Sequence, residues 1–357
     1  MSDAEELAGV VGDLLAERLG PYTVRDLGRT WAADLWGELE SLGMTTVDVP
    51  ERLGGGGGTT AEALTVVRVA GYHNAPIPLA ESAFVGGWLK SQADLPVSEG
   101  PSGIAVCRNR SVYLDDSGGR SRLTGTVAVP WGRHARELLV VLEEGDATQL
   151  AVVDPAAAGT ALTWTHGSNV AGEPRDEVRL TGAVCREIHD LPDVSVESAL
   201  ARAALGRAAL MVGALERVVD LSLGHVTVRE QFGRPLARFQ VIAHYLATMT
   251  TQLVAARASL EGAARTAEGS APHEVDSMAV AAAKTRAGAS AEVITLLGHQ
   301  VHGAIGTTEE HELGLSSRRL WAWRDEDGDE QYWSGVLGRQ IASRAYGSGL
   351  WPVLAPV

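Results

Sequence analysis

Arg229-Glu-Gln-Phe-Gly-Arg-Pro-Leu-Ala-Arg-Phe-Gln240 separates two long alanine-rich helical stretches in the last third of this 357-residue chain. The Gly233–Pro235 break lets the backbone turn. Arg229 brings a planar, permanently charged donor fork of the kind that suits a pyrophosphate, and Phe232 brings an aromatic face. Downstream, Gln300-Val-His-Gly-Ala-Ile-Gly306 places small residues where backbone could approach a ligand closely. Taken singly, the first segment reads as an ordinary helix end and the second as a turn. Their weight comes from standing in this order within the chain.

The organisation around them runs helices, sheet, helices. From about residue 193 to Ala345 the chain is alanine-rich and helical; Ile242, Leu246, Met249 and Leu253 keep one helix face apolar, and a second long helix is expected over 274–300. Between about 101 and 192 β-branched runs alternate with turn residues: GIAVC, SVYLD, RLTGTVAVP, ELLVVL, QLAVV and EVRLTGAV. Six such runs without an intervening helix predict an antiparallel sheet or small barrel. Residues 1 to about 95 are helical again, with Leu7, Val10, Val11, Leu14 and Leu15 on one face. A glycine tract, Gly54 to Gly58, interrupts them and reads as a flexible loop, after which Thr59 caps a new helix. The class is α+β, mainly α. A four-helix bundle with a β insert satisfies the order, with alanines allowing close helix approach, though periodicity alone leaves other packings open.

Composition narrows the function. The formal charge of −15 disfavours nucleic acid, which needs a basic stripe, so an anionic ligand must be held by a few local arginines. Cys107 and Cys185 stand far apart without metal or redox spacing, and read as structural thiols of a reduced, cytoplasmic protein. The first twenty residues mix acids into an amphipathic pattern, unlike a signal peptide, so the mature chain is expected to start there. The most apolar helix is interrupted by Arg202 and Arg207, and no membrane span is expected. His302 lacks a second ligand at metal spacing and reads as packing or hydrogen bonding, and Trp321, Trp323 and Trp333 as core or interface.

The two glycine-bearing segments resemble the R-x-x-F-G-x-x-x-x-x-x-Q and Q-x-x-G-G-x-G segments of the acyl-CoA dehydrogenase superfamily. Trp36 to Gly43 and Val49 to Gly55 resemble that family's early W-x-x-L-x-x-x-G and P-E-x-x-G-G signatures, and Val129-Pro-Trp131 its entry into the second half of the β domain. The resemblance implies a helical domain over 1–98, an antiparallel β domain over 99–192, and a four-helix bundle over 193–357 with flavin and oligomer contacts. It also implies FAD as cofactor, an acyl-CoA or other acyl thioester as substrate, and an electron-transfer flavoprotein or similar acceptor. Arg229, Gln231, Phe232, Gln240, Gln300, Gly303 and Ala304 become cofactor-binding candidates, reaching the flavin dinucleotide of a neighbouring subunit. Asp329 and Gln331 join them from the turn that follows.

The family's reaction needs a carboxylate facing the flavin across the substrate. Counting from Gln300, with Arg318 as checkpoint, brings the family's E-G-T segment onto Asp327-Gly328-Asp329 and makes Asp327 the candidate base. Asp325, Glu326, Asp329 and Glu330 crowd it, which reads either as repulsion tuning its pKa or as a solvated acidic loop. The position near Ala203, where another branch carries its base, holds no acid, and Glu197 and Glu216 fall outside that turn. Gly103 to Arg110 stands in place of the family's T-E-P-x-x-G-S-D stretch, which puts flavin contacts from this chain's own β domain in question. The profile resembles short actinobacterial subunits that work in α2β2 assemblies with a larger homologous partner. A non-catalytic site-completing subunit and a flavin oxidase or oxygenase with aspartate as base stay open beside the dehydrogenase reading.

Overall fold

Helices open the chain: α1 (Asp3–Leu19), α2 (Val24–Leu27), α3 (Ala33–Ser41) and α4 (Thr60–Tyr72). The computed structural model describes residues 3–345 apart from 21, 29, 109–110, 117–118, 145–146 and 269–274. Thr59 caps α4 as expected: its Oγ1 accepts the Glu62 N–H at 3.2 Å while Glu62 Oε2 accepts the Thr59 N–H at 2.7 Å. The glycine tract before it is not the flexible loop that was expected. Gly56, Gly57 and Gly58 donate their N–H groups to Thr46, Val49 and Val47 carbonyls at 2.9, 2.9 and 2.8 Å. A Cβ on Gly55 would sit 2.2 Å from the Val49 carbonyl oxygen, so glycine is required where two backbone segments touch. Beyond α4 a π-helical stretch, Leu79–Gly86, runs into α5 (Gly87–Gln92).

Eight strands follow instead of six: β1 (Ser102–Val106), β2 (Val112–Asp115), β3 (Arg122–Pro130), β4 (Glu137–Glu144), β5 (Ala147–Val153), β6 (Leu162–Thr165), β7 (Arg175–Val184) and β8 (Glu187–Asp190), with the one-turn helix α6 (Pro155–Ala158) after β5. They form two four-stranded sheets, ordered β1-β4-β5-β8 and β2-β3-β7-β6. Pairing within these sheets is antiparallel except between β1 and β4, where Ser102 lies beside Glu137 and Ile104 beside Leu139 in parallel register. The two strands the sequence hides, LTWT and EIHD, are four residues each with polar alternation, too short to stand out from turns. β4 is apolar on both faces for a reason: Leu138, Val140 and Leu142 fill the space between the sheets, while Leu139 and Val141 pack on the helices.

The final helices are α7 (Val196–Val228), α8 (Gln240–Glu268), α9 (Ser277–His302), α10 (Glu312–Asp325) and α11 (Glu330–Ala345); the tiny strands β9 (Glu230–Gln231) and β10 (Arg234–Pro235) pair between α7 and α8. Residues 346–357, within the expected third domain, and Asn109 and Arg110 lie outside the described residues. α7 is long and apolar enough to cross a membrane by composition, yet most of it is buried in the bundle and it carries the buried Arg202 and Arg207. It lies against α4 almost backbone to backbone. A Cβ on Gly213 would come 1.9 Å from the Arg68 carbonyl oxygen, and one on Gly71 would come 2.2 Å from that of Leu210.

Candidate functional site

The Arg229 segment stands out from the bundle as an exposed arm. Arg229 caps α7, its N–H donating to the His225 carbonyl at 2.9 Å, and its guanidinium makes no ion pair among the described residues. Phe232 is 90% exposed and holds a positive φ of 51°, the left-handed region that non-glycine residues rarely occupy. The hairpin register, Gln231 beside Arg234, fixes that conformation, and Arg234 lies over the Phe239 ring at 4.2 Å. Gln231 and Gln240 are exposed too. The hairpin thus presents a guanidinium without an ion pair among the described residues and an aromatic ring that is 90% exposed, touched at its edge by Phe239 with centroids 6.1 Å apart.

Gln300, Gly303 and Ala304 are likewise exposed, at the end of α9. Gly303 has φ 63° and ψ −143°, a conformation that essentially only glycine adopts, and a Cβ there would meet nothing. Backbone at this point is open to approach. This segment and the arm are joined by their helices, because His302 stacks on His225 with centroids 4.5 Å apart.

Asp327 lies elsewhere, in the turn between α10 and α11. It has φ 56° and is followed by Gly328 at φ 93°. Trp333 Nε1 donates to the Asp327 carbonyl at 2.9 Å, and the buried Lys284 Nζ donates to the carbonyls of Arg324 and Gly328 at 2.8 and 2.7 Å. Burial presses the Lys284 ammonium down to about 8. Asp329 accepts the Tyr332 N–H at 2.8 Å and so caps α11, and Gln331 is exposed.

Two acids beside Asp327, Glu326 and Glu330, are themselves paired with cations. Glu330 is drawn to Arg324 Nε at 2.5 Å, and Glu326 takes a bidentate bond from Arg175, Nε at 2.8 Å and Nη2 at 2.6 Å. Residues 326–330 are half-buried instead of forming a solvated loop, and Glu326 and Asp327 share a cation. Asp327 Oδ2 itself accepts from Arg207 Nε at 3.0 Å. Arg207, fully buried on α7, also donates to Glu81 Oε1 at 2.9 Å and lies 3.3 Å from Glu326 Oε2. Burial alone would raise the Glu326 carboxyl; Arg207 and Arg175 outweigh it and hold it below the ordinary range. Glu81 sits in the π-helical stretch, a local geometry that recurs at functional sites. The network continues through Glu173, which meets Arg175 Nη2 at 3.1 Å and accepts from Trp323 Nε1 at 2.8 Å. Glu216 turns away from this network, to Arg68 at 2.6 Å.

The sequence reading missed Glu81, Arg175 and Arg207 as a unit, since Glu81 and Arg207 meet across 126 residues and show no local spacing. A second closure lies at the end of β1, where Arg108 reaches Tyr332 OH at 3.3 Å with its guanidinium over the ring. Cys107 and Cys185 are pushed up to about 11 by burial, which leaves both thiols protonated and inert.

The candidate groups therefore fall into two sets. Asp327 is tied to Arg207, while Arg229 ends the same unbroken helix 22 residues later, about 33 Å away at ~1.5 Å per residue. The arm and the Asp327 turn therefore lie at opposite ends of this stretch of α7.

Comparison with known proteins identifies the family. Residues 194–341 match the family described as acyl-CoA dehydrogenase, C-terminal domain. The chain is 29% identical over 323 residues to acyl-CoA dehydrogenase IpdE2 of Mycobacterium tuberculosis, covering 89% of this chain and 90% of that one. It is 30% identical over 248 residues to acyl-CoA dehydrogenase FadE28 of the same organism, covering 62% and 69%. Among solved structures, the ChsE4–ChsE5 complex from Mycobacterium tuberculosis contains a chain that superposes with a TM-score of 0.85 at 23% identity, over 96% of this chain and 98% of that one. This chain belongs to the acyl-CoA dehydrogenase superfamily of flavin-dependent oxidoreductases.

Proposed function

We propose that this chain is a subunit of a flavin-dependent acyl-CoA dehydrogenase that completes a cofactor site on a homologous partner. The observation that carries the reading is the separation of about 33 Å along α7 between the Arg229 arm and the Asp327 turn. Arg229 and Phe232 fit a flavin dinucleotide held by another subunit: one offers a charged fork to the pyrophosphate, the other an exposed aromatic face. Gly303 and Ala304 offer exposed backbone beside them, and Gln300 and Gln240 add amide donors. These residues would hold FAD, which would supply a hydride acceptor for the β-carbon of an acyl thioester.

Two features favour the site-completing role over self-sufficient catalysis. The Asp327 carboxylate is engaged by the buried Arg207, whose Nε lies 3.0 Å from Oδ2, instead of standing free toward a substrate. Arg108 lies on Tyr332 at the end of the strand where the family's own-chain flavin stretch would run. Exposed Val241 and Val254 on α8 and Leu296 on α9 leave apolar surface on the bundle for such a partner. A chain of the same fold is found in a two-component assembly, the ChsE4–ChsE5 complex.

The test is an absorption spectrum of the protein alone and co-expressed with a homologous subunit, followed by anaerobic acyl-CoA. Flavin in the mixed complex only, with occupancy lowered at least ~10-fold by Arg229→Ala and substrate bleaching retained in Asp327→Asn, is the expected result. Flavin in the lone chain, bleached by substrate and no longer bleached in Asp327→Asn, would instead make it a self-sufficient dehydrogenase with Asp327 as base.

A further inference from the structure

Four histidines gather where α7, α9 and α10 end or begin, outside the ion network and unused by the proposed reaction. His302 is buried at the end of α9; His225 from the last turns of α7 stacks on it at 4.5 Å and 28°, and His311 meets it edge-on at 4.9 Å and 72°. His299, one turn back on α9, bonds through Nε2 to Ser317 Oγ at 2.9 Å.

The buried ring nitrogens of this group favour the neutral form, against the pull of the one backbone bond that His302 makes. A carbonyl only accepts, so His302 Nδ1 carries the proton that it donates to the Gly298 carbonyl at 2.8 Å. His302 Nε2 is then bare, and it is buried with no partner, as is His299 Nδ1. A proton added to His302 Nε2 would be a charged donor facing no acceptor. His311 Nδ1 accepts the Leu313 N–H at 3.1 Å and caps α10, which fixes the ring beside His302.

The charges facing the group add to this. His225 from α7, His311 from α10 and His299 from its own helix all act on His302 as further positive charge once protonated, and Arg229 acts on His225. The neighbouring carboxylate Glu312 is drawn to Arg217 on α7 at 2.9 Å. Burial, with these neighbours, lowers the His302 imidazole to about 4 and lowers His225 and His299 as well.

We infer that the His225–His302–His311 stack is an acid-releasable latch that positions the Arg229 arm and the Gly303 segment relative to each other. His225 lies one turn before Arg229, whose N–H it accepts, and His302 directly precedes Gly303. Neutral rings hold the two helix ends together; protonated rings repel and the ends part. The unfolded chain takes up its proton near the ordinary value of 6.5, whereas the folded one does so near 4. The latch is therefore fully closed above 6.5 and its stabilising effect is lost as pH falls toward 4. The latch stands on this chain's packing, and only its effect on flavin rests on the reading of the arm as cofactor-bearing.

The experiment compares melting of the partnered complex and of its His302→Phe variant at about pH 7.5 and about pH 5, with flavin in the filtrate measured alongside. Phenylalanine keeps the ring and removes the titration. Wild type should lose about 3 °C more than the variant on acidification and should release flavin that the variant retains. Equal losses in both would overturn the latch. A melting difference with equal flavin release would leave the latch standing and overturn the cofactor role of the two segments. Should His302→Phe fail to fold, His225→Phe replaces the ring stacked on it and is read in the same way.

Discussion

Lys284 shows how tightly the turn bearing Asp327 is held. Its side chain is buried, its two hydrogen bonds bracket residues 325–327, and its folded pKa of about 8 lies below the ordinary 10.5. A depressed amine of this kind costs stability below pH 8, and that cost fades as pH rises toward 10.5, because the unfolded chain binds the extra proton in that window. Denaturant titrations of wild type and Lys284→Met across pH 7 to 10.5 should therefore show wild type gaining stability relative to the variant, by a margin on the order of 3 kcal/mol. A constant difference would mean that the amine is not titrating in the fold. At this scale the sequence disclosed what is polar, exposed and locally spaced: Arg229, Phe232, Gln240, Gln300 and Gly303 all announce themselves by position. Arg207 appeared only as an interruption in an apolar helix, because its partners, Glu81 on one side and the adjacent Glu326 and Asp327 on the other, come from two distant parts of the chain.

Among elements, the contact of α4 with α7 depends on two glycines placed against each other's backbone. Gly213→Ala should destabilise the protein by about 1–3 kcal/mol or more, as overpacked backbone contacts do, and unfolding in urea measures it. Gly224→Ala, farther along the same helix with open space around it, should be neutral or gain up to about 1 kcal/mol, which separates packing from helix propensity. The helical elements were legible because caps and apolar spacing are local. The sheets were legible as texture but not as topology: the parallel β1–β4 pair joins residues 102–106 to 137–141, and nothing in either run encodes direction. The glycine tract misled because a run of glycines reads the same whether it is loose or packed.

The whole molecule is stitched together by buried charge. Arg207 on α7, Glu81 on the π-helical stretch, Arg175 on β7 and Glu326 after α10 link the first helices, the sheets and the final helices through one network. Arg207→Met keeps the bulk and removes the cation, leaving Glu81, Glu326 and Asp327 without it; the expected loss is about 3–5 kcal/mol, seen as a lower melting temperature by calorimetry. A shift under ~1 kcal/mol would show that Arg175 and Lys284 suffice. Chain order and layer order could be read from sequence, but this network could not, since it exists only once distant segments are packed. α7 spans these two worlds, rooted at Arg207 in the charged interior and ending at Arg229 in the open. Its length thereby becomes a matter of phase: one residue inserted between Gly213 and Val228 would advance the arm by ~1.5 Å and swing it by about 100°, aiming Phe232 and the Arg229 fork away from any neighbour they now face. Only insertions near a whole number of turns would restore the aim, and even those would displace it along the axis, so the spacing from core to arm should tolerate substitution far better than insertion.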